Sequence, residues 1–208
     1  MAYDSDREVT VLFGGADGPD GRINDGTWEW DGTNWTKLSL PEGPSTRTGH
    51  AMVYDAARRV TLLFGGQELT TGRVLDDTWA WNGAHWERVS PGSSPSARTD
   101  HAMAFDSRRG LVTLFGGCDQ PQGCDDSKPG PAETWEWNGT TWSLVSPAIS
   151  PPPRYGAGMT YDSARGITVM FGGTAPVFGP AGPISLTDTW EWNGSTWRQA
   201  LSTPLPRK

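Results

Sequence analysis

Four stretches of the chain share one pattern of apolar and polar positions. Each begins with a five-residue apolar run that ends in Phe-Gly-Gly: VTVLF before Gly14-Gly15, VTLLF before Gly65-Gly66, LVTLF before Gly116-Gly117 and ITVMF before Gly172-Gly173. A polar loop follows, then Thr-Trp-x-Trp, an Asp-Gly or Asn-Gly pair, and a third tryptophan five residues after the second. Short apolar runs bounded by glycine predict strands. The period of two in Thr-Trp-x-Trp puts both tryptophans on one sheet face. Asp31-Gly32, Asn82-Gly83, Asn138-Gly139 and Asn193-Gly194 predict tight hairpins. An aromatic ten residues before each Phe-Gly-Gly (Tyr3, Tyr54, Phe105, Tyr161) marks one more strand. Turns such as Asp55 to Arg59 lead out of it, and two copies close on glycine, Gly110 and Gly166. Each repeat therefore parses into four short strands, and no stretch of ten or more residues has helical periodicity.

Spacing sharpens this reading. The Phe-Gly-Gly triplets recur at intervals of 51, 51 and 56 residues. All 12 tryptophans are locked to the repeat: Trp28, Trp30 and Trp35; Trp79, Trp81 and Trp86; Trp135, Trp137 and Trp142; Trp190, Trp192 and Trp197. Rings held in phase predict packing residues rather than a ligand-stacking surface. Burying one removes roughly 200 Å² from water, on the order of 5 kcal/mol as an upper bound. All twelve are therefore expected to be structural, with Trp35 and Trp86 among those whose loss costs most.

The first-to-third tryptophan distance is always 7, whereas the distance from the Phe to the first tryptophan is 15, 15, 20 and 19. The loop between second and third strands is thus the variable one. In an antiparallel four-stranded unit it lies at the same end as the link between units. Proline-rich links carry Arg47, Arg98, Arg154 and Arg207 toward the next unit, with Pro44, Pro95, Pro151 and Pro204 three residues earlier.

The Gly-Gly doublet, the aromatic seven residues before the last tryptophan and the Pro-x-x-Arg link resemble the kelch repeat, in four copies along the whole chain. That resemblance implies an all-β fold: a β-propeller of four-stranded antiparallel blades. One domain, 1–208, is expected, with repeats at about 1–48, 49–99, 100–155 and 156–208. Three assemblies are open: a closed four-bladed ring, half of an eight-bladed dimer, or part of a longer array. Kelch propellers host binding modules and enzymes alike. The family's copper oxidases use a Tyr–Cys cross-link and histidine ligands, a set that cannot be assigned here.

Charge and composition narrow the partners. The net charge of −7 and absence of a Lys/Arg cluster argue against nucleic acid. Apolar runs of four to six residues are too short to span a membrane, and no apolar N-terminal leader is read. No cofactor or metal is expected. Asp17, Asp20 and Asp25 depart from the EF-hand spacing. No nucleophile-elbow, zinc-protease or phosphate-loop motif is present. Cys118 and Cys124 share one loop and are read as either a disulfide or two free thiols. His50 and His101 hold one repeat position and are candidates to line the central channel.

Loops on a rigid scaffold are where binding residues concentrate. The candidate binding residues on the variable-loop face are Asp17, Arg22, Asp25, Glu68, Arg73, Asp76, Asp119, Asp125, Lys128, Val177 and Phe178. The leading expectation is a non-catalytic scaffold for a protein or peptide, with a homodimer open as an assembly. The alternatives are an enzyme or carbohydrate-binding propeller with its pocket at the central channel, and a self-assembling propeller fragment.

Overall fold

The computed structural model describes residues 1–17, 22–120, 124, 130–175 and 183–200. The chain forms the expected all-β architecture: four antiparallel four-stranded blades arranged as a four-bladed β-propeller, with no helix among the described residues. The first blade comprises Ala2–Asp4, Val9–Phe13, Thr27–Trp30 and Trp35–Lys37. The second comprises Ala51–Asp55, Val60–Phe64, Thr78–Trp81 and Trp86–Val89. The third comprises Ala102–Asp106, Leu111–Phe115, Thr134–Trp137 and Trp142–Val145. The fourth comprises Gly158–Asp162, Ile167–Phe171, Thr189–Trp192 and Trp197–Gln199. In each blade the strands pair in chain order.

Register sets the tryptophans against one another. Trp30 lies opposite Trp35, Trp81 opposite Trp86, Trp137 opposite Trp142 and Trp192 opposite Trp197. Their ring centroids are 5.4–5.6 Å apart and tilted. This tryptophan-bearing face packs on the preceding blade, whose second-strand phenylalanine meets the outer indole edge-on. The pairs are Phe13 with Trp86 at 5.5 Å, Phe64 with Trp142 at 5.3 Å and Phe115 with Trp197 at 5.3 Å. A buried indole N–H also needs an acceptor. The preceding blade supplies it from the threonine that opens its third strand: Trp86 Nε1 donates to Thr27 Oγ1 (2.8 Å), Trp142 to Thr78 (3.1 Å) and Trp197 to Thr134 (2.8 Å). The Thr of Thr-Trp-x-Trp is therefore the socket for the next blade's tryptophan.

A second set of contacts ties the blades at the end opposite the variable loops. Asp4, Asp55, Asp106 and Asp162 each accept two backbone N–H bonds in the first turn and pair with the arginine three residues on. Arg7 and Arg109 reach on to Glu29 and Glu136, which also accept the indole N–H of Trp81 and Trp192 from the next blade. Ala80 stands where the second blade would carry that glutamate, and Arg58 instead donates to the Gly110 and Asn138 carbonyls of the third blade. The hairpin Asn82, Asn138 and Asn193 accept backbone N–H groups two and three residues on, as turn chemistry requires.

The expectation of twelve packed rings needs one correction. Eight tryptophans are buried and Trp28, Trp30 and Trp79 are half-buried, but Trp35 is 43% exposed. The cause lies in the order of the blades, since no described blade covers the tryptophan face of the first. The fourth blade shows the converse: Phe171 is 48% exposed, whereas Phe13, Phe64 and Phe115 are buried.

Trp142→Ala is expected to cost about 3–5 kcal/mol, because it leaves a cavity between second and third blades and strips Thr78 of its donor. Denaturant midpoints measure this, and a loss below about 1 kcal/mol would contradict the packing described.

Candidate functional site

The links and variable loops meet at one end of the blades because their backbones pair. Arg47–Thr48 forms a short ladder with Gln67–Glu68. Thr99 pairs with Cys118, and Tyr155 with Thr174, in the same way. The Gly-Gly doublets make room for the links: Gly15, Gly66 and Gly117 donate to the carbonyls of Arg47, Arg98 and Arg154 at 2.9–3.0 Å. A Cβ on Gly65 would lie 2.6 Å from the Arg98 carbonyl oxygen, and both glycines have positive φ, 62° and 95° for Gly65 and Gly66. Close approach and left-handed backbone together require glycine there.

Beneath this end lies a row of buried ion pairs. Arg47, Arg98 and Arg154 are at most 2% exposed. Arg47 grips Asp77 with both terminal nitrogens and donates to the Gly65 carbonyl (3.0 Å). Arg98 pairs with Glu133 (2.7 Å) and reaches the Gly116 carbonyl. Arg154 pairs with Asp188 (2.7 and 2.9 Å) and reaches the Gly172 carbonyl. The same carboxylates accept from Trp79, Trp135 and Trp190. Burial opposes ionisation of Asp77, but the Arg47 guanidinium and the Trp79 indole outweigh it and hold the carboxyl below its usual range. The Arg154 guanidinium does the same for Asp188. The first blade carries Gly26 at the carboxylate position, and Trp28 Nε1 accordingly has no partner among the described residues. Lys37 lies over the Trp28 ring instead, at 5.9 Å, and pairs with Asp25.

These pairs were missed at the level of sequence, although the signal is present: Asp77, Glu133 and Asp188 each stand just before the Thr of the third strand. Only the arginine half of the pattern was read.

The candidate loop residues are not gathered at one shared centre among the described residues. Asp17 and Arg22 are backbone register partners in the Ala16–Asp17 and Arg22–Ile23 ladder. Asp25, Arg73, Asp76 and Asp119 are exposed, and Glu68 is half-buried and accepts from the Thr71 hydroxyl. Asp125, Lys128, Val177 and Phe178 lie outside the described residues. Cys118 and Cys124 are joined by a disulfide in the structure, and Cys118 pairs with the Thr99 link at the loop base. Among the described residues, no group of three or more His, Cys, Asp or Glu is placed to hold a metal.

A central hollow of about 440 Å³ lies among the four first strands. Its walls include Tyr3, Tyr54, Phe105 and Tyr161, three methionines and the serines Ser5, Ser107 and Ser163; no carboxylate, imidazole or amine lines it. His50 and His101 are not among its walls. They lie between blades with their rings edge-on to Phe13 (5.9 Å) and Phe64 (5.4 Å).

Four four-stranded blades, Gly-Gly corners and arginine-pinned links define a propeller of the kelch type. Residues 3–204 match the KLHDC2/KLHL20/DRC7 Kelch-repeats domain, and the chain belongs to that kelch-repeat family.

Asp77→Ala should cost about 3–5 kcal/mol, because it leaves the Arg47 guanidinium buried without a counter-charge. Equilibrium unfolding tests this, and a cost within about 0.5 kcal/mol of zero would mean that the pair does not hold the link. Burial also pushes the His50 imidazole from 6.5 down to about 3 and holds His101 well below its ordinary value. The folded chain thus refuses a proton that the unfolded chain accepts. The stability so contributed is full above pH 6.5 and is lost as the pH falls toward 3. Between pH 6.5 and 5 wild type should lose about 1–2 kcal/mol more than His50→Gln. Parallel pH profiles would contradict this.

Proposed function

We propose that the chain is a non-catalytic binding scaffold whose protein or peptide partner docks on the face formed by the variable loops. The observation that carries this reading is the contrast between the two ends of each loop. In the second, third and fourth blades the bases are fixed by pairing of buried arginines with carboxylates and by backbone pairing to the links, while Arg73, Asp76 and Asp119 stand exposed above them; Asp25 is exposed on the first blade, which has Gly26 in place of the carboxylate. A rigid base that presents variable polar side chains suits recognition, since little order is lost when a partner binds. Membership of a kelch-repeat family is consistent with a scaffold role. The central hollow supports catalysis less well, because its hydroxyls have no base or acid among its walls. Its aromatic rings and serines are the chemistry of a sugar or peptide pocket, and binding there is the competing outcome.

Peptides selected from a random library against the folded chain test the choice. Hydrogen exchange on the bound form should show protection at residues 67–76 and at Asp119. Arg73→Glu combined with Asp76→Lys should weaken binding at least about tenfold. Protection confined to the first strands, with affinity unchanged in the double variant, would move the site to the hollow and overturn the loop-face reading.

A further inference from the structure

The two uncovered blade faces are opposite halves of one interface. Three internal junctions show the rule: a blade offers phenylalanine and threonine, joined at the first and third junctions by a glutamate, and the next blade brings the tryptophan pair that fits them. The fourth blade ends with the offering half unmet. Phe171 is 48% exposed, Val169 is only half-buried where Val11 and Leu62 are sealed, and Thr189 is half-buried where Thr27, Thr78 and Thr134 are sealed. The first blade begins with the receiving half unmet: Leu12, Trp28 and Trp30 are half-buried and Trp35 is 43% exposed.

The turn end agrees. A Cβ at Gly83, Gly139 or Gly194 would meet Arg7, Arg58 or Arg109 of the blade before, but one at Gly32 would meet nothing within 4 Å among the described residues, and the Arg165 side chain is 53% exposed. Hydrophobic, hydrogen-bonding and charged elements are thus missing together, in one register, on both faces.

We infer that these faces dock head to tail with a second copy of this chain. In that junction Phe171 of one copy would meet Trp35 of the other, Thr189 would accept the Trp35 indole N–H, Glu191 that of Trp30, and Arg165 would cover Gly32. A second copy carries both halves, so two copies related by a two-fold axis satisfy all four open faces and leave none over. The complementarity of the two faces, group by group, is what selects a second copy as the occupant.

Sedimentation equilibrium of the 208-residue chain tests this directly. Up to about 100 µM, the expected mass is twice the 22.5 kDa of one chain. Trp35→Glu and Phe171→Glu should each give a single-chain mass with circular dichroism unchanged, because each spoils both junctions of the pair. An equimolar mixture of the two variants should regain pairing, since Trp35 from one and Phe171 from the other rebuild one native junction. A wild-type mass of one chain at about 100 µM overturns the inference, as does growth beyond two chains or a mixture no more associated than its components. Peptide binding to the loop face is a separate readout and stands or falls on its own.

Discussion

An indole in the outer strand of each blade must hide its ring and still satisfy its N–H. Neither can be done inside its own sheet, because the strand pairs use the backbone and the ring projects from the face. The neighbouring blade solves both at once, with a phenylalanine edge for the ring and a threonine hydroxyl for the nitrogen. The geometry is reciprocal, so the position of each blade is set by the one before it. The inter-blade cores are built on this contact: Phe13 with Trp86, Phe64 with Trp142, and Phe115 with Trp197 are the anchors of three separate apolar clusters. The same contact explains why Trp35 and Phe171 are partly exposed, since a rule that needs a neighbour leaves its groups open wherever no described blade supplies one.

The loop end follows a different logic. There the chain must run from the outer strand of one blade to the inner strand of the next, close to the Gly-Gly corners of two sheets. The buried guanidinium holds that path by satisfying glycine carbonyls and a carboxylate together, which a shorter or uncharged side chain could not do. Because the anchor lies at the foot of the loop, residues beyond it can change in length and charge without disturbing the blades. The variation from 15 to 20 residues between phenylalanine and tryptophan is confined to that freedom.

Much of the architecture was legible from the chain because its signals are periodic. Phe-Gly-Gly, Thr-Trp-x-Trp and Asn-Gly each mark a strand end or hairpin, and their fixed spacing gave four strands and four blades. Two things were not legible. The threonine and the acidic residue beside it read as ordinary strand and turn residues, because their partners lie thirty or more and more than fifty positions away, and because Gly26 replaces the acidic residue in the first blade. The exposure of Trp35 was also hidden, since the repeat treats it as equivalent to Trp86 and only the order of blades in space tells them apart.

The most direct test of the central claim is hydrogen exchange at the indole nitrogens, read one tryptophan at a time by NMR. The Trp86, Trp142 and Trp197 N–H groups, each held by a buried threonine, should exchange only when the whole domain opens. The Trp28 N–H, which has no acceptor among the described residues, should exchange much faster. Rapid exchange at the three threonine-bound indoles, at the rate of Trp28, would contradict the account.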